Sequence, residues 1–291
     1  MKNRKFKTVL LCVLLGLIIG IIPSGHARMV KAATVSTKYG TTVTFKPGDT
    51  VSIDLADLYG KEVAYDSYGY TFLKFTAAKT GTLKISATDL FTGEVRLLNA
   101  NKKAISGDSY LEVWAPIGDN PDCRYVSYAV KAGKTYYIRV QIGTYDGTII
   151  SKKFSIKTSF KAVKDQGGKS KAKAKNLKKN KTVTGILPVG EKNARWFKIK
   201  LKKNQVLKVY MSFYGCGKSY FLLKPKKGKS LTRVIHDNNA ASDPGDYENY
   251  EGNGKLKIVK TAGKLKKGTI LYIKVYNKQA SAGGSYTIRW K

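Results

Sequence analysis

The sequence predicts an all-β chain: two tandem antiparallel β-sandwich domains of jelly-roll type, following a signal peptide. Three observations carry that prediction. Apolar residues recur with a period of two rather than 3.6, Gly- and Asn-containing turns separate the short runs, and the whole pattern occurs twice.

The N-terminus comes first in the chain and sets the compartment. Lys2, Arg4, Lys5 and Lys7 precede an unbroken apolar run from Val9 to Ile22. Pro23 and Ser24 break the run, and Val30-Lys31-Ala32 places small or apolar residues at the −3 and −1 positions of a cleavage site. This order is that of a secretory signal peptide, assigned to residues 1–32, with Ala27 as a second candidate cleavage point. An uncleaved anchor is the alternative, but the run has 14 residues, where a spanning helix needs about 20. No later stretch is apolar enough to span a membrane, and the chain closes on a strand-like Tyr286–Lys291 rather than an apolar tail. The expected location is therefore secreted: extracellular, or loosely associated with a cell wall.

The first sandwich is expected over residues 33–160 and the second over 181–291, because the strand signals of one repeat in the other. Leu73-Lys74-Phe75 falls on Phe197-Lys198-Ile199 at an offset of 124, and Leu83-Lys84-Ile85 falls on Leu207-Lys208-Val209 without a gap. Val95–Leu98 matches Tyr220–Leu223 at 125, Gly133–Val140 matches Gly268–Val275 at 135, and Phe154–Lys157 matches Tyr286–Arg289 at 132. Such offset changes place insertions in loops. About eight short strands are expected in each copy. In the second, Phe197, Ile199 and Leu201 should point inward, as should Leu207, Val209, Met211, Leu271, Ile273 and Val275. Turns are expected at Lys203-Asn204, Gly215-Cys216-Gly217, Lys227-Gly228, Lys267-Gly268 and Gly283-Gly284. Between the copies, residues 161–180 lose apolar periodicity and crowd lysines around Gly167-Gly168, which predicts an extended, flexible, basic linker.

These residues resemble the bacterial pre-peptidase C-terminal domain family, as two tandem copies. In the second copy the likeness runs through Val183–Leu187, Trp196–Ile199, Leu207–Val209 and Gly268–Val275, the last similar to the family's Gly-x-x-Tyr-Tyr-x-x-Val strand. The first copy keeps that element in Ala132–Val140. Where the family carries acidic residues ahead of its second strand, this chain has Asn193-Ala194-Arg195. The resemblance implies a jelly-roll-like, non-catalytic appendage of the kind attached to secreted hydrolases, which in some cases binds polymers or calcium. No hydrolase sequence accompanies it here, which favours a free-standing binding protein.

Charge narrows the partner. Residues 34–160 carry 16 Lys and Arg against 12 Asp and Glu, whereas residues 161–291 carry 32 against seven. A field so lopsided attracts polyanions. Outside a cell, the candidates are anionic cell-wall or extracellular polysaccharide and extracellular DNA, with another secreted protein as a further partner class. Solubility alone is the other use of such charge.

Enzyme signatures are sparse. Past the signal peptide, His236 is the single histidine, and there is no Gly-x-Ser-x-Gly elbow, no paired zinc ligands and no Walker loop. Two cysteines, Cys123 and Cys216, are too few for a disulfide framework; they form either one bridge between the copies or two free thiols. An acidic stretch over residues 237–251 offers Asp237, Asp243, Asp246 and Glu248 as candidate calcium ligands. Its alternatives are a solvated loop balancing nearby lysines and a hydrolytic carboxylate pair. No other cofactor is expected.

Binding residues are expected on the outward positions of the second copy. Alternation puts Trp196, Lys198, Lys200, Lys208 and Tyr210 on one face of adjacent strands, and Tyr272, Lys274 and Tyr276 on another. Aromatic rings stack on sugars or bases while lysines meet phosphates and carboxylates. Tyr and Trp are also simply good strand formers. The expected function is a secreted or surface-bound, non-catalytic binding protein for an anionic or carbohydrate polymer of wall or matrix. The alternatives are an accessory protein that binds another secreted protein and an unrecognised hydrolase using the acidic loop.

Overall fold

A computed structural model describes residues 32–61, 69–88, 91–107, 109–113, 125–142, 149, 151–192, 194–237 and 256–291. The signal-peptide expectation, Cys123, Asp243, Asp246 and Glu248 lie outside these residues; Asp237 and His236 are described in their backbone only. Residues 33–291 form one compact unit. Among the described residues there is no helix, and 19 strands build four sheets.

Ten strands come from the first half: β1 (Thr34–Lys38), β2 (Thr42–Thr44), β3 (Thr50–Asp54), β4 (Thr71–Thr76), β5 (Gly81–Thr88), β6 (Phe91–Asn99), β7 (Ser109–Val113), β8 (Tyr125–Val130), β9 (Thr135–Ile142) and β10 (Lys153–Ala162). Nine come from the second: β11 (Lys175–Asn176), β12 (Val183–Leu187), β13 (Ala194–Lys200), β14 (Lys208–Cys216), β15 (Lys218–Pro225), β16 (Thr232–Asp237), β17 (Lys257–Lys260), β18 (Ile270–Asn277) and β19 (Gly283–Trp290). The excess over the expected eight is made of short edge strands such as β1, β2 and β11, too brief for periodicity to register.

Sheet I has the order β1-β3-β10-β5-β8 and sheet II the order β2-β4-β9-β6-β7. Sheet III runs β11-β13-β18-β15-β16 and sheet IV runs β12-β19-β14-β17. Position by position, sheet III repeats sheet II, including a short parallel edge strand, and sheet IV repeats sheet I without β1. The other pairings are antiparallel.

Period-two burial makes each pair of sheets a sandwich. Val51, Ile53, Ile85 and Phe154 of sheet I meet Leu73, Phe75, Leu97 and Ile138 of sheet II in one core. Phe197, Ile199, Leu271, Ile273 and Val275 of sheet III meet Val209, Met211, Phe213, Tyr286 and Ile288 of sheet IV in another. All nine inward positions expected in the second half are buried.

Three findings differ from the sequence reading. Gly215 and Cys216 lie inside β14, leaving Gly217 to make the expected turn. Gly283 and Gly284 lie inside β19 rather than in a turn. A Cβ on Gly283 would strike Leu187 O and Val189 N, and one on Gly284 would strike Tyr214 O and the Phe213 ring, so close approach requires the glycines. The basic stretch 161–180 is extended, but it is laid along the edge of sheet III. Gly168 and Trp196 exchange backbone bonds of 3.0 and 2.7 Å, β11 pairs in parallel with β13, and Leu177 is buried in the second core. Trp290 Nε1 donates to Leu177 O at 2.8 Å. An edge strand with unpaired amides recruits a neighbouring backbone, and the single apolar anchor Leu177 is enough to hold this one.

The two sandwiches also touch. Ile186, Val189 and Cys216 from the second half join the core of the first, and Val189 N donates to Ala129 O at 3.0 Å. Cys216 is a free thiol, and burial pushes its pKa up to about 12, so it is inert.

Candidate binding face

The outward side of sheet III gathers six of the eight residues expected to bind. Register sets Trp196 beside Lys274 and Lys198 beside Tyr272, across the β13–β18 pair. Tyr276 continues the row outward along β18 and pairs with Tyr220 of β15. Their inward neighbours Phe197, Ile199, Ile273 and Val275 are locked in the core, so the outward side chains cannot rotate to the other face without a register slip.

The result is a chequerboard of rings and ammonium groups. The Tyr220 and Tyr276 rings stack with centroids 5.2 Å apart, and Trp196 meets Tyr272 edge-on at 6.5 Å. Lys274 Nζ lies 4.3 Å from the Tyr276 centroid and 5.5 Å from that of Trp196, both within cation–π range. Lys171, from the stretch laid on the sheet edge, reaches to 5.0 Å above Tyr272, and Lys278 to 4.9 Å above Tyr220. Trp196, Lys198, Tyr272, Lys274 and Tyr276 are all half-buried, with their rims in solvent.

Lys200 ends β13 on the same side and is exposed. Lys208 and Tyr210 are not part of this face. They belong to β14, in sheet IV, where the Tyr210 ring lies under Arg289 at 5.0 Å and Lys291 at 5.4 Å. Strands β13 and β14 are consecutive in sequence but cross from one sheet to the other, so alternation alone could not group their side chains.

Among the described side chains, no carboxylate is paired with Lys198, Lys200 or Lys274. In the second half, the described side chains include two, Asp165 and Glu191. Asp165 accepts from Arg195 Nε, and Glu191 is 3.3 Å from Lys131 Nζ. Both lie in a cleft of about 490 Å³ where the sandwiches meet. Among the described residues, no group of three or more His, Cys, Asp or Glu side chains comes together to hold a metal.

Sequence reasoning missed Tyr220, Lys171 and Lys278, and it missed an equivalent face on sheet II. There Phe72 sits beside Arg139, and Lys74 beside Tyr137. The repeat offsets already superpose Phe72 on Trp196, Lys74 on Lys198, Tyr137 on Tyr272 and Arg139 on Lys274, so the signal was present.

No protein-family model matches the chain, and no curated protein is similar to it. Among solved structures it is similar to the pre-peptidase C-terminal domain of a collagenase from Bacillus anthracis, at 16% identity and a TM-score of 0.29, over 40% of this chain and 94% of that one. It is similar to the CUB1-EGF-CUB2 region of human MASP-1/3 at 10% identity and a TM-score of 0.23, over 83% of this chain and 99% of that one. A third likeness is to dimeric latent PorU from Porphyromonas gingivalis, at 12% identity and a TM-score of 0.22, over 79% of this chain and 25% of that one. At TM-scores this low the likenesses say nothing about activity.

Proposed function

We propose that this chain is an exported, non-catalytic binding protein whose sheet III face grips an anionic or carbohydrate polymer of a cell wall or extracellular matrix. The single observation that carries the proposal is the register pairing of Trp196 with Lys274 and Tyr272 with Lys198. Alternate residues along a strand are about 6.7 Å apart and neighbouring strands about 4.8 Å apart. Rings and charges at that spacing meet successive units of an extended chain: the rings stack on sugar faces, and the lysines take carboxylate or phosphate oxygens. A rigid pleated scaffold fixes the side chains before the polymer arrives, which lowers the entropy lost on binding. The excess of basic groups over residues 161–291 adds a long-range attraction that salt screens.

The test is equilibrium binding of the full exported chain to an acidic polysaccharide, a neutral glycan, purified cell wall and DNA, each from low to high salt. The expected result is binding to the acidic polymers that weakens steeply with salt, as counterion release requires. Salt-insensitive binding to the neutral glycan would move the weight from the lysines to the rings. Binding to none of them, with a secreted protein co-purifying at high salt instead, would replace the proposal with an accessory role.

A further inference from the structure

Ala33 stands one residue past the −1 position of the cleavage site read from the sequence, at the start of the compact unit. Its backbone N lies 3.1 Å from Asp49 Oδ1, and the second carboxylate oxygen accepts from Lys46 N at 2.9 Å. Asp49 is only 8% exposed. Its backbone is fixed as firmly: Asp49 O accepts from Thr158 N at 3.1 Å and from Thr158 Oγ1 at 2.8 Å. Thr50 N returns a bond to Ala33 O at 2.9 Å. Among the described residues, no Lys, Arg or His side chain is ion-paired with this carboxylate.

A buried carboxylate with two amide donors and no cation is short of one partner, because a buried charge is costly unless an opposite charge meets it. We infer that the Ala32–Ala33 peptide bond is the one cut on export, and that Asp49 receives the ammonium group the cut creates. The cut is a hydrolysis by an export peptidase. Water adds across the bond, the Ala32 carbonyl leaves as a carboxylate, and Ala33 N becomes an –NH3+ group at the position already facing Oδ1. The hydrogen bond from an uncharged amide is thereby replaced by an ion pair between opposite charges, and the buried carboxylate gains its counter-charge.

The consequence reaches β1. This strand is five residues long, alternates exposed and half-buried, and rests in parallel on β3 at the sheet edge. A terminal strand frays unless tied down, and its loss would bare the β3 edge. Processing supplies the tie, so the cut completes the first sandwich as well as freeing the chain. A cut after Ala27 would leave an amide at Ala33 and gain nothing from Asp49. The inference rests on the chain being exported, and not on what it binds.

The experiment has two arms. The N-terminal residue of the chain recovered from the medium of an exporting host is determined first, and Ala33 is the expected answer. Residues 33–291 are then prepared with a free α-amine and with the same amine acetylated, which keeps an N–H donor but removes the charge. The free-amine form is expected to melt about 2–6 °C higher, and the difference to vanish in Asp49→Asn. A product starting at Arg28 or any other residue overturns the assigned cut. Equal melting of the two forms overturns the role of Asp49 even with Ala33 first, and needs no variant to fold. Polymer binding is measured separately, so its failure leaves this result standing.

Discussion

Sheets II and III occupy the same place in their sandwiches and are built on the same strand order, yet their outward faces have been put to different use. On sheet II, the turn after β6 folds back over the rings. Lys102 Nζ lies 4.3 Å from the Phe72 centroid and 5.4 Å from that of Tyr137, and Leu98, an outward residue of β6, is 4% exposed beneath the turn. Lys102 takes up a left-handed backbone, φ 57°, to get there. Asn99 holds that turn: its Oδ1 accepts from Asn101 N and Lys103 N, both at 3.0 Å. The strand registers align β6 with β15 at an offset of 126, one more than the sequence match of 125. On sheet III, the position of Leu98 is thus taken by Lys224, opposite Tyr272, and Tyr220 and Tyr276 extend the rings where sheet II has Glu94 and Gln141. One framework therefore carries a face on which its own turn rests and a face richer in rings and lysines, the rings of both being half-buried. The strand order sets where a face lies, and the loops decide what lies against it.

The largest expected effect lies in binding. Replacing Trp196 and Tyr272 together by Ala should weaken acidic-polymer affinity by about 1–3 kcal/mol for each ring that stacks. The matching pair Phe72→Ala and Tyr137→Ala should change it by less than about twofold if the turn covers them, against the hundredfold range of a lost stacking ring. Equal losses on both faces, measured by equilibrium binding, would erase the distinction between them. Neutralising Lys198 or Lys274 to Gln should lower the slope of log affinity against log salt by about one for each lysine that contacts the polymer.

Alkaline stability separates the cores beneath the two faces. The Tyr286 phenol is 1% exposed and its hydroxyl has no hydrogen-bond partner among the described residues, and burial raises its pKa well above 10. Tyr136, in the first sandwich, is raised by burial too, but an N–H from Lys131 offsets part of the rise. The unfolded chain ionises these phenols near pH 10 while the folded chain keeps them protonated. The stability they contribute is thus whole below about pH 10 and is lost as pH rises toward the folded pKa. Tyr286→Phe should move the onset of alkaline unfolding upward more than Tyr136→Phe does. At neutral pH it should be neutral or stabilising by about 1 kcal/mol, since an unpaired buried hydroxyl is removed. Thermal melts across pH check both statements.

The smallest effect should come from Lys102→Gly. It relieves a left-handed residue by about 1 kcal/mol and gives up cation–π contacts of about the same size, so the melting temperature should hardly move. What should change is the number of polymer sites, as the Phe72 and Tyr137 rings are uncovered. Unchanged stoichiometry would show that the turn is not what closes sheet II.

The sandwiches were legible in the sequence because burial alternates: Phe197, Ile199, Leu201 and their six counterparts needed nothing but period two to be placed inward. The face was legible only within a strand pair. Trp196 and Lys198 could be put on one side of β13, but the partner of β13 is β18, which lies 70 residues away, and not the next strand β14. Tyr210 and Lys208 were grouped with the wrong sheet for that reason. Leu177 was hidden by the lysines around it, since one apolar residue makes no period. Lys171 reaches Tyr272 only because Leu177 and Gly168 bring its segment onto the sheet edge.

The most direct measurement is the change in tryptophan fluorescence as an acidic polysaccharide is titrated into the full chain and into Trp196→Phe. Of the three tryptophans, Trp290 is buried in the second core, Trp196 stands on the outward face and Trp114 lies outside the described residues. The account predicts a saturable change in the parent chain that weakens with salt and is largely absent in Trp196→Phe. The same change persisting in the variant, or polymer binding without any change in the parent, would contradict it.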